Sequence, residues 1–500
     1  MKKVKKKVVI IGTGPAGLTA AYSLLKNSKE YEVIVLEELN QVGGISKTIN
    51  YHGNRMDLGG HRFFTKDDDV LALWKSILND KEFTYRRRVS RIYYNKRFFD
   101  YPVNLSFKTI KNLGFKDTII AGFSYLKSLV HKLPEDNLEN FYINRFGKKL
   151  YSIFFKDYTE KLWGIEPSKL DSSWGSQRVK GVSIKEVLKD YFCRLFKMKN
   201  KNKQTSLIDS FLYPKYGPGM VYEKMAKIIE KMGGVIKLNA RVVKITKENN
   251  VIKGITYREN GTNIPLACDY LISSMPIKDL VNGMNNVPKK VKNVASNLVY
   301  RDFITIGVIL DKLKIKNNTK LETVNNIIPD TWIYVQSNKQ KLGRIQVFNN
   351  WSPDLLKDIN TISLGLEYFC TEGDNLWNSN DNNLKELAIN ELTEMGIISS
   401  DTKVLDYHVE RVKKAYPAYF GVYKDFDLVK DYLNSINNLF CIGRNGMHRY
   451  NNMDHSMKSA MVCVNNIINN ISDKENIWSV NTDESYHEIK EEEKRQDNSK

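Results

Sequence analysis

The sequence predicts an α/β fold class, and three observations support that prediction. An apolar, β-branched run at 8–11 leads through a glycine-rich turn into an Ala/Leu-rich segment with helical character. A second strand-like run, EVIVLEE, follows at 32–38. Alternating apolar and polar segments return at 234–261 and again over 295–425. A strand, helix and strand in direct succession is typical of a parallel sheet that is covered by helices.

The glycine-rich turn predicts a binding site for a dinucleotide. Gly12, Gly14 and Gly17 have the spacing G-x-G-x-x-G between the first strand and the helix. The first glycine permits a tight turn, the second lets backbone approach a pyrophosphate, and the third allows close packing of helix on strand. The helix N-terminus then favours the phosphates. Glu37, at the end of the second strand, is predicted to accept hydrogen bonds from the ribose hydroxyls.

Two further glycine doublets favour FAD over NAD as the dinucleotide. Gly43-Gly44 follows the ribose acid, and Gly59-Gly60 directly precedes His61. Glycines at these positions indicate backbone that lies against a second, extended part of the ligand. A βαβ unit that binds nothing is the alternative reading of the first motif taken by itself.

The chain is expected to divide into a discontinuous Rossmann-type FAD-binding domain, a helical insertion, an antiparallel-sheet substrate domain and a disordered charged tail. The helical insertion shows apolar residues at i, i+3 and i+4, whereas the substrate domain shows strand alternation. The tail is polar and rich in charge. The predicted bounds are, in that order, 1–100 with 205–290 and 430–475, then 105–200, 295–425 and 476–500.

The formal charge of +20 permits two interpretations. It can attract a polyanion or an anionic membrane surface, or it can reflect lysines spread over the whole chain by compositional bias, which we favour. Nucleic acid is not an expected partner, because no Lys/Arg cluster coincides with an aromatic platform. A homo-oligomer is left open.

Cysteine usage and hydropathy indicate a cytoplasmic protein. The 5 cysteines show no C-x-x-C spacing and are expected to be reduced thiols. No apolar run reaches the roughly 18 residues that a transmembrane helix needs. The histidines show no metal-ligand spacing, so no metal is predicted.

The C-terminal segment FCIGRNGMHRYNNMDHSMKSAM, together with the glycine motifs, resembles the UDP-galactopyranose mutases of the amine oxidase, protoporphyrinogen oxidase and phytoene desaturase superfamily. The resemblance extends to about residue 470. In these flavoproteins a comparable run binds flavin and the substrate diphosphate. The cofactor-binding residues predicted by the motifs and this resemblance are Gly12, Gly14, Pro15, Ala16, Gly17, Glu37, Gly43, Gly44, Gly59, Gly60, His61, Gly443, Arg444, Asp454, His455 and Ser456.

Four other segments are similar to the mutases: YTEKLWG, SWGSQRVKG, GRIQVFNNWSP and KKAYPAYF. They supply two arginines and a tyrosine for a diphosphate, which a guanidinium can bind through two parallel hydrogen bonds. Two departures, Thr159 and Asn104, lie at positions that contact the sugar or uridine in the family, so the sugar is left open. The substrate-binding residues that the resemblance implies are Tyr101, Trp163, Arg178, Trp332, Tyr334, Arg344, Tyr416 and Tyr450.

The resemblance implies a mutase that interconverts the pyranose and furanose forms of a UDP-sugar for polysaccharide biosynthesis. Reduced flavin N5 is the nucleophile in that family, with a reduced nicotinamide as the expected external reductant. His61, Arg178 and Arg344 are the implied catalytic residues. An FAD-dependent oxidoreductase of the amine oxidase or protoporphyrinogen oxidase type is the main alternative, and a flavin-containing binding protein without turnover is a second one.

Overall fold

The computed structural model describes residues 4–101, 103, 106–172 and 210–480, which form two compact units. The first unit contains the described residues of Met1–Thr84, Leu212–Arg301 and Val412–Asp483. The second contains those of Tyr85–Phe211 and Asp302–Arg411. Each unit is built around its own sheet.

The strands of the described residues are β1 Lys6–Ile11, β2 Tyr31–Leu36, β3 Thr48–Tyr51, β4 Asn54–Asp57, β5 Phe83–Arg87, β6 Ser90–Tyr94, β7 Arg97–Asp100, β8 Ser210–Pro214, β9 Val235–Lys237, β10 Arg241–Glu248, β11 Val251–Glu259, β12 Thr262–Ala267, β13 Tyr270–Ser273, β14 Tyr300–Leu310, β15 Trp332–Val335, β16 Leu342–Val347, β17 Ile362–Cys370, β18 Val404–Pro417 and β19 Leu439–Cys441. The α-helices are α1 Pro15–Asn27, α2 Asp68–Ile77, α3 Phe107–Leu113, α4 Phe115–Val130, α5 Leu138–Tyr151, α6 Asp157–Trp163, α7 Gly219–Lys231, α8 Ile277–Gly283, α9 Lys289–Ser296, α10 Phe348–Trp351, α11 Asp381–Glu394, α12 Phe426–Asn434, α13 Gly443–Gly446, α14 Met453–Ile468 and α15 Glu475–Trp478.

The first unit contains a parallel sheet with the strand order β19-β13-β1-β2-β9. Residues of β1 are buried on both faces, which explains its unbroken apolar sequence. Helices α1, α7 and α14 pack on one face, around Val8 and Ile10. The other face packs Val9 and Ile11 against the β10-β11-β12 meander and helices α8, α9 and α12. This is the predicted doubly covered Rossmann-type sheet.

The second unit contains most of a sheet with the order β18-β14-β17-β16-β15-β6-β7. The pairs β14 with β17, β17 with β16, β16 with β15, and β6 with β7 are antiparallel. Strand β15 pairs in parallel with β6, with Trp332 opposite Ser90. Because side chains alternate along a strand, one face of this sheet packs Ile333, Ile345 and Leu366 against α11 in an apolar core.

The α/β fold class predicted from the sequence is confirmed. Strands β6 and β7, which the sequence analysis grouped with the N-terminal domain, belong to the second unit. Helix α15 continues the ordered chain past residue 475, and its Trp478 is buried. Within the described ranges, no helix combines the length and the apolar character needed to span a membrane.

Candidate active site

The turn after β1 is tight enough to require two of its glycines. Gly12 has φ +96°, and a Cβ on it would lie 2.2 Å from Ser274 Oγ. A Cβ on Gly17 would lie 1.9 Å from the carbonyl oxygen of Gly12. The two positions therefore bring α1 directly against the end of β1, as the motif predicts.

Gly14 differs from its neighbours because the protein leaves room beside it. It has extended backbone as the N-cap of α1, with Pro15 in the first turn. A Cβ on Gly14 would make only an ordinary contact, 3.8 Å from the Cα of Gly44. Packing therefore does not demand glycine here, whereas a pyrophosphate bound against the free N–H groups of the α1 N-terminus would, as the motif predicts.

Glu37 follows β2 and fixes the same turn. Its buried carboxylate accepts hydrogen bonds from Thr13 N at 2.8 Å and Thr13 Oγ1 at 2.7 Å. Its other oxygen accepts one from Leu39 N at 3.1 Å. The sequence analysis assigned Glu37 to a ribose and missed Thr13. Each carboxylate oxygen offers more than one lone pair, so ribose binding stays compatible with these bonds and remains a prediction.

The Gly43-Gly44 doublet and the residues after strand β19 bring further backbone to the same edge of the parallel sheet. Gly43 N donates to Thr13 O at 2.9 Å. Gly443, two residues after the end of β19, has φ +74°, and a Cβ on it would lie 2.8 Å from that of Ala16. The carboxyl edge of a parallel sheet is where α/β folds bind nucleotides.

Helix α14 begins beside this edge. Gly443 N donates to Ser459 Oγ at 3.0 Å, which ties the helix to β19. Asn452 N donates to Nδ1 of His455 at 3.3 Å, so that nitrogen is unprotonated in the capping box. Burial lowers the pKa of His455. Asp454, His455 and Ser456 thus occupy the first turn of α14.

Arg444 supports the loop that follows β19. Its Nε donates to Asn451 O at 2.9 Å and a terminal nitrogen donates to Ala415 O at 3.1 Å. The guanidinium lies 4.5 Å from the ring centre of Tyr450, and that ring stacks on Tyr416 with centres 5.8 Å apart. The structure therefore brings the two predicted phosphate-binding tyrosines together and makes Arg444 their support, a role that the sequence did not reveal.

A buried carboxyl group lies at the base of the Gly59-Gly60 loop. Asp57 accepts hydrogen bonds from Thr48 Oγ1 at 2.9 Å and from the Tyr213 hydroxyl. Burial raises the pKa of Asp57 to about 7, against the lowering effect of both hydrogen bonds. The sequence analysis missed this group, because Tyr213 lies 156 residues away along the chain.

His61 forms a hydrogen bond within its own loop, between Nδ1 and Gly59 O at 3.0 Å. A carbonyl oxygen only accepts, so Nδ1 carries the proton of this bond. In neutral His61 the acceptor nitrogen is therefore Nε2. This assignment defines where the side chain can take up a proton.

In the second unit, one face of the sheet is buried but polar and aromatic. The antiparallel register places Tyr334 opposite Arg344, Arg344 opposite Glu367, and Glu367 opposite Thr305. Trp332 stacks on Tyr334 with ring centres 5.8 Å apart. These side chains share the face opposite the apolar core, because residues two apart on a strand point the same way.

Arg344 and Glu367 form a buried ion pair on that face. Arg344 Nε lies 2.9 Å from a Glu367 carboxylate oxygen, and Gln346 Nε2 donates to the other oxygen at 2.9 Å. The guanidinium lies 5.2 Å from the Trp332 ring centre and 4.8 Å from that of Phe369. Burial raises the pKa of Glu367, and the arginine opposes this shift. The guanidinium plane is thus held in one orientation.

The same face contains unsatisfied polar atoms. Trp332 Nε1 and Gln346 Oε1 are buried, and neither has a hydrogen-bond partner within the part of the chain that the structure describes. Leaving such atoms unpaired costs free energy on the order of 1–3 kcal/mol each, so a polar group at this face could form hydrogen bonds with them. Tyr101 contacts Tyr334 at 4.8 Å between ring centres.

The remaining predicted residues are placed as follows. Trp163 ends α6 and is buried, before Gly164 in left-handed conformation, and Thr159 is buried one turn earlier. Arg178 and Asn104 lie outside the described residues. Among the described side chains, no group of three or more His, Cys, Asp and Glu is arranged to hold a metal ion.

A family model described as "Flavin containing amine oxidoreductase" matches residues 15–420. A 1-hydroxycarotenoid 3,4-desaturase from Flavobacterium sp. is 25% identical over 275 residues, which cover 52% of this chain and 54% of that protein. A probable UDP-galactopyranose mutase from Klebsiella pneumoniae is 29% identical over 180 residues, 34% of this chain and 44% of that protein. The chain spans about half the length of these curated relatives.

Solved structures match the whole fold. The crystal structure of a reduced UDP-galactopyranose mutase superimposes with a TM-score of 0.79 and 21% identity, covering 97% of this chain and 100% of that one. A putative protoporphyrinogen oxidase from Exiguobacterium sp. gives a TM-score of 0.69 at 15% identity, covering 92% and 98%. At these identities the likeness establishes the fold.

Proposed function

This chain belongs to the family of flavin containing amine oxidoreductases, and from that premise we propose that it is a flavin-dependent mutase of a sugar nucleotide. The reaction would interconvert the pyranose and furanose forms of a UDP-linked sugar without net redox change. Relatives named as UDP-galactopyranose and dTDP-fucopyranose mutases support this choice. Both names describe a substrate in which a hexopyranose is attached to a nucleoside diphosphate.

The observation that carries the proposal is the character of the buried sheet face in the second unit. An oxidase of an apolar amine or polyene needs an apolar surface for its substrate. This face instead presents the Arg344–Glu367 pair, stacked aromatic rings and the unsatisfied Trp332 Nε1 and Gln346 Oε1. Aromatic faces and fixed polar groups together suit a nucleotide sugar.

The family contains flavin, and the residues of the first unit fit FAD. The α1 N-terminus with Gly14 would hold the pyrophosphate, and Glu37 the ribose. Gly43 and Gly443 would bring backbone along the rest of the cofactor. When bound and reduced, the flavin supplies the nucleophile for the anomeric carbon, chemistry that protein side chains do not provide here.

The chain's own residues would bind and orient the substrate. We assign Arg344 to the substrate diphosphate, because its guanidinium is held rigid and presents several donors in one plane. Tyr416 and Tyr450 keep the phosphate-binding role that the resemblance implies, with hydroxyls on a stacked and braced pair of rings. Arg178 is proposed from sequence alone for the same diphosphate.

His61 would contribute charge. Its Nδ1–H is engaged by Gly59 O, so a proton taken up at Nε2 makes the ring a cation at a fixed position. A fixed cation stabilises negative charge that develops during the reaction.

A second function, an FAD-dependent oxidoreductase, is favoured by one comparison. The 1-hydroxycarotenoid 3,4-desaturase match covers 52% of the chain, a larger share than the 34% covered by the Klebsiella mutase match. The polar face of the second unit's sheet would then have no evident use.

Direct assay of ring forms tests the proposal. Flavin-loaded protein reduced under nitrogen would be incubated separately with UDP-galactopyranose and dTDP-fucopyranose, and the nucleotide sugars resolved by chromatography and NMR. We expect a furanose product from at least one of them. Unchanged sugar nucleotides across a wider panel, with the flavin still reduced and bound, would contradict the proposal and favour the oxidoreductase.

A further inference from the structure

Helix α4 of the second unit exposes its apolar side and buries its small, polar side. The buried positions are Ala121 and Ser128, and Asp117 forms an ion pair at 3.0 Å with Lys149 of α5. In contrast, Phe115 is 80% exposed, Phe123 70% and Val130 78%. A surface helix ordinarily faces the core with its apolar side, so this orientation needs a cause.

Specific contacts with α5 fix the orientation. At Gly147, where α5 is kinked, a Cβ would lie 2.7 Å from the backbone nitrogen of Tyr125 in α4. Ser124 Oγ accepts a hydrogen bond from Lys149 N at 3.1 Å. Small and polar residues on the inner side of α4 therefore permit close helix packing, and the large apolar residues are left outside.

Five of the exposed apolar residues of α4 form one stripe. With about 100° between successive residues, positions 115, 119, 123, 126 and 130 fall within roughly 80° of the helix circumference. Lys116 and Lys127 lie at one border of that arc. Phe107 and Ile110 of α3, just before α4 along the chain, are also exposed. We call these two residues of α3, together with the five of α4, the apolar stripe.

The charge around the apolar stripe is almost all positive. Between residues 106 and 133 the sequence has five lysines and a single acidic residue, Asp117, which is already paired. Lys108 is paired with Asp100 at 3.2 Å, but two copies of this chain meeting through the stripe would still bring the other lysines of this segment together.

We propose that the apolar stripe docks onto the surface of an anionic lipid bilayer. Its aromatic and aliphatic side chains would enter the boundary between headgroups and acyl chains, while the flanking lysines contact anionic headgroups. Protruding Phe and Leu residues with lysines beside them and few acids are the combination that holds a helix in the plane of a membrane interface. The inference goes beyond the proposed reaction and does not depend on it.

Vesicle flotation of the full-length flavin-loaded protein tests this proposal. Vesicles of phosphatidylcholine alone are compared with vesicles that also contain phosphatidylglycerol, at low and high salt. The variant Phe123→Asp alters the stripe, and Leu428→Asp makes the same change of charge at an exposed apolar position of helix α12. Flavin content and thermal midpoint are measured for each protein to confirm folding.

We expect wild-type protein and Leu428→Asp to float with the anionic vesicles, and high salt to weaken the binding. Phe123→Asp should reduce the partition coefficient roughly tenfold or more. Wild-type protein that stays with neither type of vesicle would overturn the proposal. An equal loss of vesicle binding in both variants would show that only the overall charge matters, and this result would also overturn the proposal. A dimer in sedimentation velocity that Phe123→Asp dissociates would assign the stripe to a second copy instead.

Discussion

The buried carboxyl group of Asp57 leads to a quantitative prediction about pH and stability. Its partners are the Thr48 and Tyr213 hydroxyls, and burial raises its pKa from 3.8 to about 7. The folded protein therefore holds this proton more tightly than the unfolded chain. The stabilisation from this proton is complete below the ordinary pKa and is lost as the pH rises through the folded-state pKa.

The size of the effect follows from these two pKa values. Between about pH 5.5 and about pH 8.5, the free energy of unfolding should fall by about 2 kcal/mol because of Asp57. For a unit of about 250 residues, this corresponds to a decrease of roughly 4–8 °C in the thermal midpoint. Asp57→Asn removes the titration while its amide can still hydrogen-bond to both hydroxyls, so this part of the pH dependence should vanish.

Thermal unfolding followed by circular dichroism at both pH values measures the difference. The matched control is Asp425→Asn, which removes one carboxylate from an exposed position of the same unit. The control should keep the wild-type pH dependence. An Asp57→Asn variant whose midpoint falls with pH as steeply as that of the wild type would refute the reasoning.

Two other predictions concern the turn after β1 and the buried ion pair. Gly14→Ala should fold normally, because its Cβ makes only an ordinary contact with the protein, but it should lose flavin. Gly17→Ala should lower the thermal midpoint, because its Cβ meets the Gly12 carbonyl oxygen at 1.9 Å. Equal midpoints and full flavin absorbance in both variants would contradict these expectations. Arg344→Ala should be destabilised by about 3–5 kcal/mol through an unpaired buried Glu367. The double variant Arg344→Met/Glu367→Gln should keep its fold and flavin yet bind UDP roughly ten- to a hundredfold more weakly in calorimetry, and unchanged affinity would make the pair purely structural.

Local sequence patterns predicted the first unit well. The glycine spacing specified the turn between β1 and α1, because the backbone of Gly12 has positive φ and a Cβ on Gly17 would meet the carbonyl oxygen of Gly12 five residues earlier. The apolar run of β1 likewise indicated a strand buried on both faces. These features depend on neighbours along the chain, which periodicity reveals.

The pairing of strands that lie far apart along the chain could not be predicted from local sequence patterns. The parallel pairing of β6 with β15 joins segments about 240 residues apart, so nothing local marks it. Arg344 gains Glu367 as a partner only through the register of β16 on β17. The apolar spacing predicted helices over 105–200, which include α4, but the sequence did not show that close packing at Gly147 leaves the large apolar side chains of α4 exposed.

The central claim, a reaction without net redox change, is tested most directly by the stoichiometry of reductant to product. Oxidised protein incubated with the UDP-sugar that it accepts should be inactive. Reduction by dithionite or a reduced nicotinamide under nitrogen should then start many turnovers without consuming an equivalent of reductant for each product. Product that forms in proportion to reductant consumed, or to hydrogen peroxide released in air, would contradict the mutase and identify an oxidoreductase.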